Sequence, residues 1–161
     1  MSPIIVRNAV EADLVQVNSL RRMVNELHVN GRPDFFRGDA WSAIEGQAEK
    51  FLRADDCELI VATVDDQVAG FAMVNFFDRP ENPYMKARHY YHVEEFGVSE
   101  AFRRLGVATA LVDYMKQDAI AHGFTRIELD MWEFNQSALA FYEHAGFGCF
   151  RRYMELDLTD K

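Results

Sequence analysis

A chain of 161 residues with 49% hydrophobic and 27% charged side chains has the size and balance of one globular domain with a core of its own. The formal net charge of −9 argues against nucleic acid as the main partner and suits a cationic small molecule or a basic peptide end. Only two cysteines occur, Cys57 and Cys149, both isolated in apolar sequence, so buried thiols in a reducing compartment are expected.

No apolar run approaches the roughly 20 residues that span a bilayer. Met1-Ser2-Pro3 lacks the basic and apolar segments of a signal peptide. A cytoplasmic protein without membrane association is the expectation. A short strand opens the chain at 4–7. A helix follows at 12–27, with Leu14, Val17, Leu20, Val24 and Leu27 on one face. The Asn30-Gly31-Arg32-Pro33-Asp34 stretch breaks it, and Phe35-Phe36 comes next. A second helix is predicted at 40–53, with Trp41, Ile44, Ala48, Phe51 and Leu52 apolar. Strands at 58–64 and 68–77 form a hairpin across Asp65-Asp66-Gln67, and Gly70 marks an expected bulge. Two prolines make 79–83 a loop. A strand at 89–98, a helix at 106–122 stopped by Gly123, a strand at 126–131, a helix at 135–145 and a last strand at 149–158 complete the order. A hairpin meander followed by one helical crossover implies an α+β fold with a mixed, mostly antiparallel central sheet flanked by helices.

The stretch from Val93 to Ala108 turns from strand to helix through Arg103-Arg104-Leu105-Gly106. A helix start offers unpartnered N–H groups and a partial positive charge, so an anion is its natural ligand. Gly106 has no Cβ to hold a phosphate away from the backbone, and the two arginines suit phosphate oxygens. The alternative is an ordinary connection with two solvated arginines. Neither the Walker spacing nor Gly-x-Gly-x-x-Gly is present, which favours a diphosphate that is held rather than cleaved.

Arg103-Arg104-Leu105-Gly106-Val107-Ala108 resembles the Arg/Gln-x-x-Gly-x-Gly/Ala signature of the GCN5-related N-acetyltransferases, the GNAT superfamily, with alanine at the sixth position. The segment from Asn135 to Phe147 is similar to that family's Asn-x-x-Ala-x-x-Phe-Tyr-x-x-x-Gly-Phe motif, and the element order fits nearly the whole chain. The resemblance implies a single acetyltransferase domain over 1–161, a sheet splayed at the cofactor-binding strand, and acetyl-CoA as acetyl donor with no metal. It implies a diphosphate on the backbone of Arg104, Leu105, Gly106, Val107 and Ala108, with Arg103 beside it. It further implies a pantetheine arm along Phe96, Gly97 and Val98, with Asn135 and Tyr142 at the thioester end.

Acetyl transfer to an amine requires an amine freed of its proton, a donor for the oxyanion and a proton for the departing thiolate. His92 and Glu94 share a face of the predicted strand, whereas Glu95 joins them only if a bulge shifts the register. Glu94 is the first candidate base, directly or through a water, and His92 the second. Glu94 and Glu95 as anchors for a cationic substrate, or as a solvated edge, are the alternatives. Tyr142 is the candidate acid, because a phenol near 10 and a thiol near 8.5 are close enough to share a proton. A backbone N–H near Gly97 or Val98 is the expected oxyanion donor.

Acceptor recognition is expected from His28, Asp34, Phe35, Phe36, Trp41, Tyr84 and Glu95, although Phe35, Phe36 and Trp41 could equally pack in the core. His28, His89, His122 and His144 show no metal-ligand spacing. The sequence thus reads as an N-acetyltransferase acting on a small-molecule or peptide amine, with the oligomeric state open and a homodimer through sheet edges or the C-terminal strand as one option. A non-catalytic acyl-CoA sensor and a protein-interaction domain are the competing readings.

Overall fold

The computed structural model describes residues 2–159; Met1, Asp160 and Lys161 lie outside the described residues. These fall into two compact units, the first running to Asp130 and the second starting at Met131.

The first unit is built on strands Ile5–Asn8 (β1), Cys57–Val64 (β2), Gln67–Arg79 (β3), Arg88–Val98 (β4) and Ile127–Leu129 (β5). They lie in the order β1-β2-β3-β4-β5, antiparallel except for the parallel β4–β5 pair. The hairpin between β2 and β3 turns through Asp65 and Asp66 at φ 48° and 60°, the left-handed pair that matches strand twist. A register shift opposite Ala62 and Thr63 leaves Ala69, next to Gly70, as the extra residue.

Helices Leu14–Gly31 (α1) and Trp41–Arg53 (α2) cover one face of the sheet. Leu14, Val17, Ala48 and Phe51 meet Cys57, Leu59, Val61, Phe71 and Met73 there. Helix Val107–Ala121 (α3) packs on the other face, with Val107, Leu111, Val112, Met115 and Ala119 buried at three- and four-residue spacing. It ends as the sequence predicts: Gly123 takes φ +79° and the Phe124 N–H bonds the Ala119 carbonyl at 2.8 Å. Single 3-10 turns, Glu11–Asp13 and Glu100–Phe102, precede α1 and α3. Among the described residues no helix is long and apolar enough to cross a membrane.

The second unit holds helix Gln136–His144 (α4) and an extended tail. The strand predicted at 149–158 does not form among the described residues, and Cys149 is exposed rather than buried. Phe150, Tyr153, Met154, Leu156 and Leu158 are all exposed, Met154 at 91%. The tail has the β-forming composition of a strand, but composition supplies no neighbour to pair with.

Candidate active site

A second bulge, besides the one expected at Gly70, lies within β4. Val74 pairs with Val93 and Met73 with Glu95, so Glu94 is an extra residue with no partner of its own. Opposite-face alternation therefore restarts at Glu95. Glu95 and Gly97 turn toward α1: the Arg21 guanidinium bonds Glu95, and a Cβ on Gly97 would meet Val24 at 2.8 Å. Glu94 sits beside His92, with its Oε2 3.5 Å from His92 Nδ1 and accepting a hydrogen bond from Asn75 Nδ2 at 3.1 Å. The 3.5 Å separation is too long for a good hydrogen bond, and His92 Nδ1 is buried without a hydrogen-bond partner. His92 and Asn75 hold the Glu94 carboxyl below its ordinary range despite partial burial, so it is a stable anion.

Glu95 behaves differently. Burial pushes its carboxyl up, and Arg21 opposes that shift. Arg21 is 2% exposed and donates to Glu95 Oε2 from Nε at 3.0 Å and from Nη2 at 2.9 Å. The same guanidinium reaches Gln47 Oε1 at 2.7 Å and the Ile44 carbonyl. One buried cation thus ties α1, α2 and β4 together, and Glu95 serves that knot. Neither Arg21 nor Asn75 emerges from the sequence reading. The signal was present: Arg21 falls in line with Leu14 and Val17, a charge placed on the apolar stripe of α1.

Beyond the bulge, β4 loses a neighbour. β5 pairs with it only at Tyr91, His92 and Val93, so among the described residues no strand lies on that edge from Glu95 to Val98. The chain then enters the Arg-rich turn. Arg104 takes φ +62° and Gly106 takes φ +89°, so two left-handed residues bend the backbone into the first turn of α3. No side chain caps that helix start, and Gly106, Leu105, Arg104 and Arg103 are exposed. A Cβ on Gly106 would meet only Ile4 Cδ1, at 3.8 Å, so the concavity is open to a ligand. Val107 is buried and anchors the helix from below, while Ala108 is half-buried. Arg103 pairs with Glu100 at 3.4 Å at the surface.

Of the acceptor candidates, His28 and Phe36 come together at the end of α1, with ring centroids stacked 5.0 Å apart. Burial lowers the His28 imidazole pKa. Phe35 adjoins them at 5.9 Å from Phe36 and is exposed, and Asp34 pairs with Arg32 at 2.8 Å. Trp41 lies under the Arg22 guanidinium at 4.3 Å. Tyr84 is 94% exposed on its own loop, apart from that group.

In the second unit, Asn135 caps α4: its Oδ1 accepts from the Ala138 N–H and the Ser137 hydroxyl, both at 3.2 Å. Tyr142 packs against Phe141 and Phe147, and burial pushes its phenol up to about 12.

The acetyltransferase (GNAT) family model matches residues 20–147. L-ornithine N5-acetyltransferase NATA1 of Arabidopsis thaliana is 30% identical over 95 residues, which are 59% of this chain. The match spans about 40% of the length of that curated relative. A tetramutant of the BH1408 protein from Bacillus halodurans has a similar structure, at TM-score 0.89 and 27% identity, covering 96% of this chain and 99% of that one. AAC(6')-Iy in complex with the bisubstrate analog CoA-S-monomethyl-acetylneamine shares the fold at TM-score 0.77 and 19% identity, covering 97% and 98% of the two chains. With the family model matched over most of its length, on a fold common to these structures, the chain belongs to the GNAT acetyltransferase family.

Proposed function

We propose that the whole chain acts as one domain that transfers the acetyl group of acetyl-CoA to a primary amine of a small molecule or peptide. The observation that carries this reading is the uncapped start of α3 behind Gly106, following the part of β4 that β5 does not reach. The open left-handed turn fits a diphosphate, which the α3 amides and the Arg104 cation would hold. The end of β4 beyond Val93, where β5 no longer pairs with it, is where an amide-bearing arm would run alongside Gly97 and Val98. Acetyl-CoA supplies an activated acyl thioester when bound there.

Glu94 accepts the proton of the incoming ammonium through a water, with His92 and Asn75 fixing the carboxylate. A lowered Glu94 suits an anchoring and relaying anion better than a strong base, so the water carries the proton in transit. The amine nitrogen forms a bond to the acetyl carbon as the carbon–sulfur bond breaks, and the electron pair stays on sulfur. Tyr142 then offers its O–H to the thiolate. Its phenol at about 12 lies above an ordinary thiol near 8.5, so it donates a hydrogen bond ahead of complete proton transfer. It therefore stays protonated across the working range, and loss of activity in alkali should not track Tyr142 below about pH 11.

The test is free-thiol release from acetyl-CoA across a panel of amines: diamines and amino acids, aminoglycosides, and peptides with free N-termini. The ornithine N5-acetyltransferase relative puts the first group foremost. Turnover with one acceptor supports the enzyme. Tight coenzyme A binding without turnover on any amine would instead make the protein an acyl-CoA sensor. With the acceptor in hand, Tyr142→Phe should lower kcat by about a hundredfold, the scale of one lost transition-state donor. The KM for acetyl-CoA should be nearly unchanged.

A homodimer is part of the same proposal. Five large apolar side chains of the 149–158 segment stand in water, more than a monomer normally leaves exposed in one place. Light scattering should give twice the chain mass, and removing residues 149–159 should return a monomer.

A further inference from the structure

On the face of the sheet opposite His92 and Glu94, one end of α3 gathers a second polar cluster. Glu58 projects from β2 on the α3 side, because its partner Val74 and the neighbouring Ile60 face that helix. Asp118 and His122 lie one turn apart at the end of α3. One ligand-capable atom from each of the three lies within 4.8 Å of the other two. His122 Nε2 stands 3.6 Å from Glu58 Oε1.

The geometry points to a site for a borderline divalent cation of the zinc and cobalt(II) class, held by Glu58, Asp118 and His122. Four features support it. Ligands about 2.0–2.1 Å from a tetrahedral metal lie about 3.3–3.4 Å from each other, close to the 3.6 Å Glu58–His122 spacing, and Asp118 offers an atom within 4.8 Å of both. The imidazole is held by its other nitrogen: Nδ1 lies 2.9 Å from the Asp118 main-chain carbonyl, an acceptor, which turns Nε2 toward Glu58. The carboxylate is oriented from behind, where Tyr91 Oη donates to Asp118 Oδ2 at 2.9 Å. Finally, Glu58 Oε2 is buried with no hydrogen-bond partner.

Charge works the same way. Two carboxylates meet at the C-terminal end of a helix, where the backbone dipole adds further negative potential. Phe76 lies 4.8 Å from the His122 ring and steadies it. A cavity of about 350 Å³, lined in part by Asn8, Phe51, Phe76, Glu58 and His122, adjoins the cluster and leaves room for a water as fourth ligand. Three protein ligands and one open position is the pattern of an accessible site. The sequence conceals it, because Glu58 is far from the helical pair and no two histidines are spaced as ligands.

The experiment is a cobalt(II) titration of tag-free protein, followed by visible absorption and then by zinc displacement. One equivalent should produce the intense bands of a tetrahedral cobalt site, zinc should abolish them, and the melting temperature should rise. His122→Ala, at a half-exposed helix end where folding is undisturbed, should weaken cobalt binding at least tenfold. Glu58→Gln should do the same and keeps the packing shape. Absence of the bands in the wild-type protein, or equal binding in either folded variant, overturns the assignment and leaves a carboxyl pair sharing a proton. None of these residues belongs to the proposed acetyl-transfer machinery, so the result is independent of that reading.

Discussion

Gly106→Glu should abolish coenzyme A binding while leaving a folded protein. Two effects combine. The residue holds φ +89°, and a side chain there costs about 1–2 kcal/mol of backbone strain. The new carboxylate would stand in the open concavity, against a diphosphate and in place of it. A hundredfold loss of affinity, about 2.7 kcal/mol, is the minimum expected from a like charge at that spot. Gly106→Ala separates the two causes. Its methyl would meet only Ile4 Cδ1 at 3.8 Å, so it carries the strain without the charge and should cost some stability with a far smaller loss of binding. Calorimetric titration with coenzyme A, alongside thermal melts of each variant, reads both. Wild-type affinity in a folded Gly106→Glu protein would remove the diphosphate from this turn.

Arg21→Ala should be the most damaging single change to stability. It strips Glu95 of both guanidinium bonds and Gln47 and the Ile44 carbonyl of theirs. Breaking a buried pair by deleting one partner costs about 3–5 kcal/mol, because the remaining charge has lost its solvent and its counter-ion. For a chain of this length that is a fall in melting temperature of roughly 10 °C. Adding Glu95→Gln to Arg21→Ala should recover part of the loss by removing the stranded charge, and the double-mutant cycle measures how much. The linkage has a sign. Burial raises the Glu95 carboxyl in the fold, so as pH rises through its folded pKa the fold must carry the buried anion that Arg21 offsets. The damage from Arg21→Ala should therefore be smaller in mild acid than at neutral pH.

The order of strands and helices was legible because each element announces its period. α3 repeats apolar residues every three or four positions and stops at a glycine; β2 and β3 flank an Asp-Asp turn. The Arg-rich turn was legible as a connection, since the apolar spacing changes there from a strand's to a helix's; that Arg104 as well as Gly106 goes left-handed was not. What could not be read is pairing at a distance. The bulge at Glu94 is fixed by which β3 residue lies opposite, and that is decided across the hairpin. The Arg21 knot joins residues up to 74 positions apart. The tail was expected as a strand from its composition, yet a strand is a relation between two segments and composition describes one. Tyr84, expected at the substrate site, is 94% exposed on its loop.

The surplus residue in β4 has a consequence for how freely this protein can vary. Val93 and Glu95 already face opposite sides, as adjacent residues of a regular strand do, so the sheet does not need Glu94 to keep count. Excising that one position would leave every core-facing partner where it is and take away one carboxylate. Architecture and reactivity are thereby uncoupled at a single peptide unit, and descendants of this scaffold can gain or shed the group without rebuilding the interior.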